Sequence, residues 1–241
     1  MKNLVLTLAF LPLFARAQEA PTEEKKEEKK FAFGISASAD RCFRIMYSNP
    51  KTGKFGVCHY SDEKPIFGFT AGADFQWQIA KRWHLDAGLL YAKKGFKTKP
   101  FEFTHIIVID PNDPAIPKKA QTFYHFSYMD IPMRVQYHFT TGKWQFYGIA
   151  GVSTNIFLSE TTVSRREYAD GKELVSKTND NSNFARLNLA ATGGLGLRLN
   201  LKNAFIKMEA VYRTSVTSFT NTDTHYYFNQ AGIDIGYYWR F

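Results

Sequence analysis

From Phe31 onward, apolar and polar residues alternate with a period of two, the pattern of strands whose two faces meet unlike surroundings. The clearest stretch sets Phe67, Phe69, Ala71, Ala73, Phe75, Trp77 and Ile79 on one face. Gly68, Thr70, Gly72, Asp74, Gln76 and Gln78 fall on the other. The same rhythm runs through Phe31 to Ala39, Trp83 to Lys94, Tyr128 to Phe139, Trp144 to Leu158, Arg186 to Leu199, Ile206 to Arg213 and Gln230 to Phe241. Eight strands are predicted, and no amphipathic helix competes with them.

The links between these segments alternate in length. Ala80 to Arg82, Thr140 to Gly142 and Asn200 to Asn203 are tight. Asp40 to Lys64, Lys97 to Ala120, Ser159 to Asn183 and Phe219 to Tyr226 are longer and rich in Pro, Asn, Asp, Lys and Thr. Short periplasmic turns alternating with longer outer loops mark a membrane barrel. The pattern therefore predicts an all-β, eight-stranded antiparallel up-and-down transmembrane β-barrel with both termini periplasmic. All four tryptophans, Trp77, Trp83, Trp144 and Trp239, fall on the apolar face beside a short turn or the last residue, where an interfacial girdle would stand. The competing architecture is a soluble eight-stranded barrel with a ligand cavity. It would have to turn every large aromatic inward and the smaller, charged face to water.

The start of the chain fits this location. Met1 and Lys2, an apolar run from Leu4 to Phe14 and Ala15-Arg16-Ala17 have the layout of a secretory signal peptide. No later window approaches the roughly 20 apolar residues of a spanning helix. We read residues 1–17 as signal peptide, 18–30 as a charged periplasmic linker and 31–241 as an outer-membrane barrel domain. The net charge of +9 stays positive after Lys2 and Arg16 leave. Export excludes nucleic acid, so the expected partners are outer-membrane lipids and lipopolysaccharide, with Lys93 as a phosphate contact, or a protein of a cell-envelope complex.

An eight-stranded barrel is only wide enough for side chains to fill its interior. The inward face carries Asp74, Asp86, Asp130, Glu209 and Asp234 against Lys94, Arg134, Arg186, Arg198, Lys207, Arg213 and Arg240. Such groups pair or stay hydrated, which predicts a salt-bridged plug; a narrow proton or ion path is the alternative. Cys42 and Cys58, an even pair in an oxidising compartment, are expected to form a loop disulfide. No cofactor or metal motif is present, and Gly193-Gly194-Leu195-Gly196 lies inside a strand rather than ahead of a helix. One constellation could carry chemistry. His125 and Ser127 share a face of the fourth strand, and Glu160 is expected close by, a base, a hydroxyl and a carboxylate in the order a hydrolytic triad needs. The His-x-Ser spacing resembles that of lipid A deacylases. The simpler reading, which we adopt, is that these are polar residues at a membrane interface.

Five stretches, GFTAG from Gly68, LLYAKKG from Leu89, YMDIP from Tyr128, YGIAG from Tyr147 and EAVYR from Glu209, together with the closing Phe241, resemble the PorT-like outer-membrane β-barrel family of Gram-negative bacteria. The resemblance spans nearly all of the chain after the linker. It implies the fold and the location, and its name comes from a secretion-linked relative. Three functions follow as expectations: a non-enzymatic structural or interaction barrel acting through its loops and outer wall, a component of protein secretion, and a lipid A-modifying enzyme.

Overall fold

A computed structural model describes residues 30–47, 57–58, 63–103, 117–168, 170–179, 181–182, 184–220 and 225–241. The expected signal peptide, residues 18–29 of the linker and the loop around Asn112 lie outside the described residues. The strands are β1 (Phe31–Tyr47), β2 (Val57–Cys58), β3 (Glu63–Ala80), β4 (Trp83–Thr98), β5 (Phe101–Glu102), β6 (Pro117–His138), β7 (Trp144–Tyr168), β8 (Glu173–Thr178), β9 (Leu187–Asn200), β10 (Ala204–Ser215) and β11 (His225–Arg240). Antiparallel pairing runs β1-β3-β4-β6-β7-β9-β10-β11 and returns from β11 to β1, which closes an eight-stranded ring.

Closure leaves no open edge in the wall, the condition for crossing a bilayer with strands. The predicted faces follow the register. Phe33, Ile35, Phe75, Leu89, Met133, Phe146, Leu195, Met208 and Ile235 are exposed on the outer wall, while Asp74, Asp86, Arg134, Lys207 and Glu209 are buried inside. All four tryptophans stand on the outer wall, with Phe31 paired to Trp77, Trp83 to Tyr137, Trp144 to Leu199 and Ala204 to Trp239, beside the short turns or the chain end. The three tight links are where the periodicity placed them.

The strands are longer than the alternation predicts. β1 continues past Ala39 to Tyr47, and β6 and β7 reach 22 and 25 residues. About 9–11 residues suffice to span a bilayer. β9 pairs β7 only as far as Ile156, and above that point β7 continues between β6 and β8. A four-stranded sheet, β5-β6-β7-β8, thus rises beyond the ring on the long-loop side.

The expected disulfide is corrected. Cys42 is a free, wholly buried thiol on the inner wall. The backbone of Cys58 pairs with Met46, four residues further along β1. That offset is about 13 Å of strand, well beyond the Cα separation of a disulfide; the side chain of Cys58 lies outside the described residues. Alkylating the denatured, unreduced protein is therefore expected to label Cys42. Protection of Cys42 until a reductant is added would contradict this register.

Candidate functional site

The inward residues build a central network at mid-height of the lumen. Arg134 on β6 reaches Glu209 at 3.1 Å, Asp74 and Asp86 at 3.6 Å each and Asp234 at 3.7 Å. Lys207 on β10 adds Asp86 at 2.7 Å and Glu209 at 3.5 Å. Neutral donors complete the carboxylates. Gln136 donates to Asp86 at 2.5 Å and to Glu209 at 3.2 Å, Gln76 to Asp86 at 2.7 Å, Tyr147 to Glu209 at 2.8 Å, and Tyr238 to Asp74 at 3.1 Å. Buried charges persist only with such partners, because desolvation costs several kcal/mol per ion. Glycine makes the room for them: a side chain at Gly196 would collide with the Tyr147 ring, and one at Gly232 with the Asp40 carboxylate.

Nearer the cell surface, Arg213 pairs with Asp40 at 2.8 Å and Asp234 at 3.3 Å, and Lys94 with Asp130 at 2.9 Å. Above these pairs Phe96, Phe126, Tyr128, Phe219 and Phe228 form a buried aromatic cluster, with Phe184 and Tyr226 packed against it. The Arg44 guanidinium lies over the rings of Phe96 and Tyr226, at 4.0 and 4.3 Å, and pairs with Glu63. The lumen is thus filled by ion pairs in its middle and by stacked rings at its outer end.

Two sequence expectations for the network change, and one member is new. Arg186 precedes β9, so no pleat directs its side chain inward, and it is exposed. Arg240 sits half-exposed at the short-turn mouth, bonded to Asn200 and to the Leu201 carbonyl. Asp40, assigned to a loop by sequence, is a fully buried member of the network. The other predicted lumen charges, Asp74, Asp86, Lys94, Asp130, Arg134, Arg198, Lys207, Glu209, Arg213 and Asp234, are all buried.

The triad is not assembled. Ser127 faces outward, with its hydroxyl 2.9 Å from that of Tyr91, and His125 shares that face. Between Ser127 paired with Ser159 and Tyr128 paired with Phe157, β7 carries one extra residue, Leu158. A bulge of this kind shifts the alternation by one, so Glu160 pairs beside Phe126 and is buried, bonded by Thr162 at 2.5 Å. The carboxylate and the His–Ser pair stand on opposite faces of the wall.

On the outer wall, Arg41, Lys64 and Lys93 are exposed on neighbouring strands β1, β3 and β4. Arg41, Lys64, Arg44, Phe96 and Tyr212 line a half-open cavity of about 420 Å³ at this level. On the projecting sheet, β8 is exposed along its whole length, including Leu174 and Val175. In the turn that leads into β8, Asp170 accepts from the Lys172 amide at 3.0 Å and pairs with its ammonium at 2.6 Å, which holds the Asp170 carboxyl below its ordinary range.

Solved structures with a similar course of chain include Neisserial surface protein A, 13% identical, covering 88% of this chain and 97% of that one with a TM-score of 0.40. The attachment invasion locus protein Ail of Yersinia pestis is 14% identical, with 88% and 99% covered and a TM-score of 0.34. OprG of Pseudomonas aeruginosa is 14% identical, with 88% and 97% covered and a TM-score of 0.45. No curated protein matches the chain in sequence. The family model of the outer membrane protein β-barrel domain matches residues 17–221. The closed ring, the apolar outer wall and this match agree: the chain is an outer-membrane protein and belongs to the outer membrane protein β-barrel domain family.

Proposed function

We propose that the protein is a structural and interaction component of the outer membrane that works through its projecting sheet and outer wall, not through a pore. One observation carries this reading: the lumen is filled in its middle by the Arg134 network and at its outer end by the aromatic cluster. A barrel so filled leaves its exterior as the working surface. The tryptophans supply interfacial anchors on that exterior, and Arg41, Lys64 and Lys93 supply cations for lipopolysaccharide phosphates.

The test is photo-crosslinking in intact cells from Val175 on β8, with Gln145 at the short-turn mouth as control. One specific adduct at Val175 is expected. Absence of any adduct there would sink the interaction reading. The PorT-like secretion role rests on sequence resemblance alone, and it would declare itself by co-purification of the barrel in a stable secretion complex. For the lipid A enzyme, the outward His125 and Ser127 lack the carboxylate that would orient the base, because Glu160 points into the lumen. Ser127→Ala is expected to leave lipid A acylation unchanged by mass spectrometry; a changed acylation pattern would restore the enzyme reading.

A further inference from the structure

The short-turn end of the lumen holds a cation without a counter-charge. Arg198 on β9 is 5% exposed. The other buried lumen cations, Lys94, Arg134, Lys207 and Arg213, each meet at least one carboxylate within 4 Å. Among the described residues Arg198 meets none. Its Nη1 lies 3.4 Å from Nε2 of His84, and its Nε has no acceptor. The surplus carboxylates of the central network attract it from a distance but bond none of its donors.

The surroundings are built rather than incidental. The Arg198 guanidinium lies 3.5 Å over the ring of Phe205, which is wholly buried and stacks on Tyr238 at 4.9 Å. Arg240 reaches over the same ring at 5.1 Å from the half-exposed mouth. Two guanidiniums therefore share one aromatic platform. Beside them the buried rings of His84 and His138 stand 4.2 Å apart, and Nδ1 of His84 has no partner. Gln78 and Gln145, also inward and half-exposed, stand at the short-turn mouth of the lumen beside them.

Unpaired buried donors and repelling guanidiniums are both relieved by one kind of ligand. A tetrahedral oxyanion accepts several hydrogen bonds at once and matches the guanidinium fork, whereas a halide carries a single charge and has no pair of oxygens to meet that fork. We infer that Arg198, Arg240, His84 and His138 form a periplasm-facing site for a phosphate-class oxyanion, supplied either as free phosphate or as a phospholipid headgroup. The site is independent of the role proposed for the outer face. It uses neither the projecting sheet nor the outer wall.

The test is the thermal unfolding midpoint of the folded barrel in a phosphate-free detergent. Inorganic phosphate is expected to raise the midpoint saturably, and sodium chloride at equal ionic strength is not. Arg198→Gln should abolish the shift. Arg240→Gln, at the half-exposed mouth where folding is least at risk, should weaken binding roughly tenfold or more, the loss of a charged hydrogen bond. A response to phosphatidylglycerol vesicles but not to free phosphate, lost in Arg240→Gln, assigns the site to a headgroup. A midpoint unmoved by either ligand, a shift equalled by chloride, or a shift that survives both substitutions would overturn the inference.

Discussion

Replacing Arg134 by Met is expected to lower the stability of the barrel by about 3–5 kcal/mol, the cost of removing one partner from a buried ionic cluster. The residue is 2% exposed and stands within 4 Å of Asp74, Asp86, Glu209 and Asp234. Without it, Lys207 pairs with Asp86 and Glu209 and Arg213 with Asp234, while Asp74 keeps only its hydroxyl donors, Ser36 at 2.5 Å and Tyr238 at 3.1 Å. Urea unfolding in lipid vesicles, followed by tryptophan fluorescence, gives the readout. A clearly lower midpoint is predicted. A wild-type midpoint would show that the carboxylates do not depend on Arg134 for their charge balance. Tyr147→Phe, which removes a single bond to Glu209, should cost less, about 1–3 kcal/mol.

Phe126→Ala is the second large effect. The ring is 2% exposed and contacts Phe184, Phe219 and Phe228 with centroids at 5.3, 5.5 and 5.1 Å. Truncating a buried Phe costs about 3–5 kcal/mol, and here the loss falls at the outer end of the lumen, where β6 leaves the ring. Unfolding should shift accordingly, and trypsin should cut the β6–β7 hairpin faster, at sites such as Lys119 and Arg165. Unchanged stability together with unchanged proteolysis would mean that the cluster neither seals the lumen nor braces the projecting sheet.

These residues show what was legible in the sequence. Within the bilayer one face meets lipid and the other a crowded polar interior, so period-two alternation survives and most lumen charges could be assigned by parity alone. Above the bilayer both faces of a strand meet water or protein. The upper parts of β6 and β7, such as Gln121 to Tyr124 and Thr161 to Arg166, therefore carry no alternation and look like loop. The aromatic cluster was hidden for a related reason. Phe96 and Phe126 sit on strand extensions, and Phe219 lies in a segment assigned to a loop.

Parity also fails wherever the register slips. The extra residue at Leu158 turns Glu160 from the outer face to the lumen, and with it goes the apparent triad. A single inserted residue has no sequence signature of its own when its neighbours, Phe157 and Ser159, suit either face. Asp40 was missed because an acid at the end of an alternating run looks like the start of a turn; Arg213, its partner at 2.8 Å, lies far away in sequence. The Arg198 site could be assigned to the inner face by parity, but the absence of a carboxylate beside it is a property of the whole ring.

The role proposed for the outer face requires a sealed lumen. Planar bilayer recording of the purified, refolded barrel tests it most directly. The wild type is expected to show no steady conductance above the bare membrane, and the combined Arg134→Met and Phe126→Ala variant a flickering leak. Stable, well-defined conductance steps from the wild-type protein would contradict it.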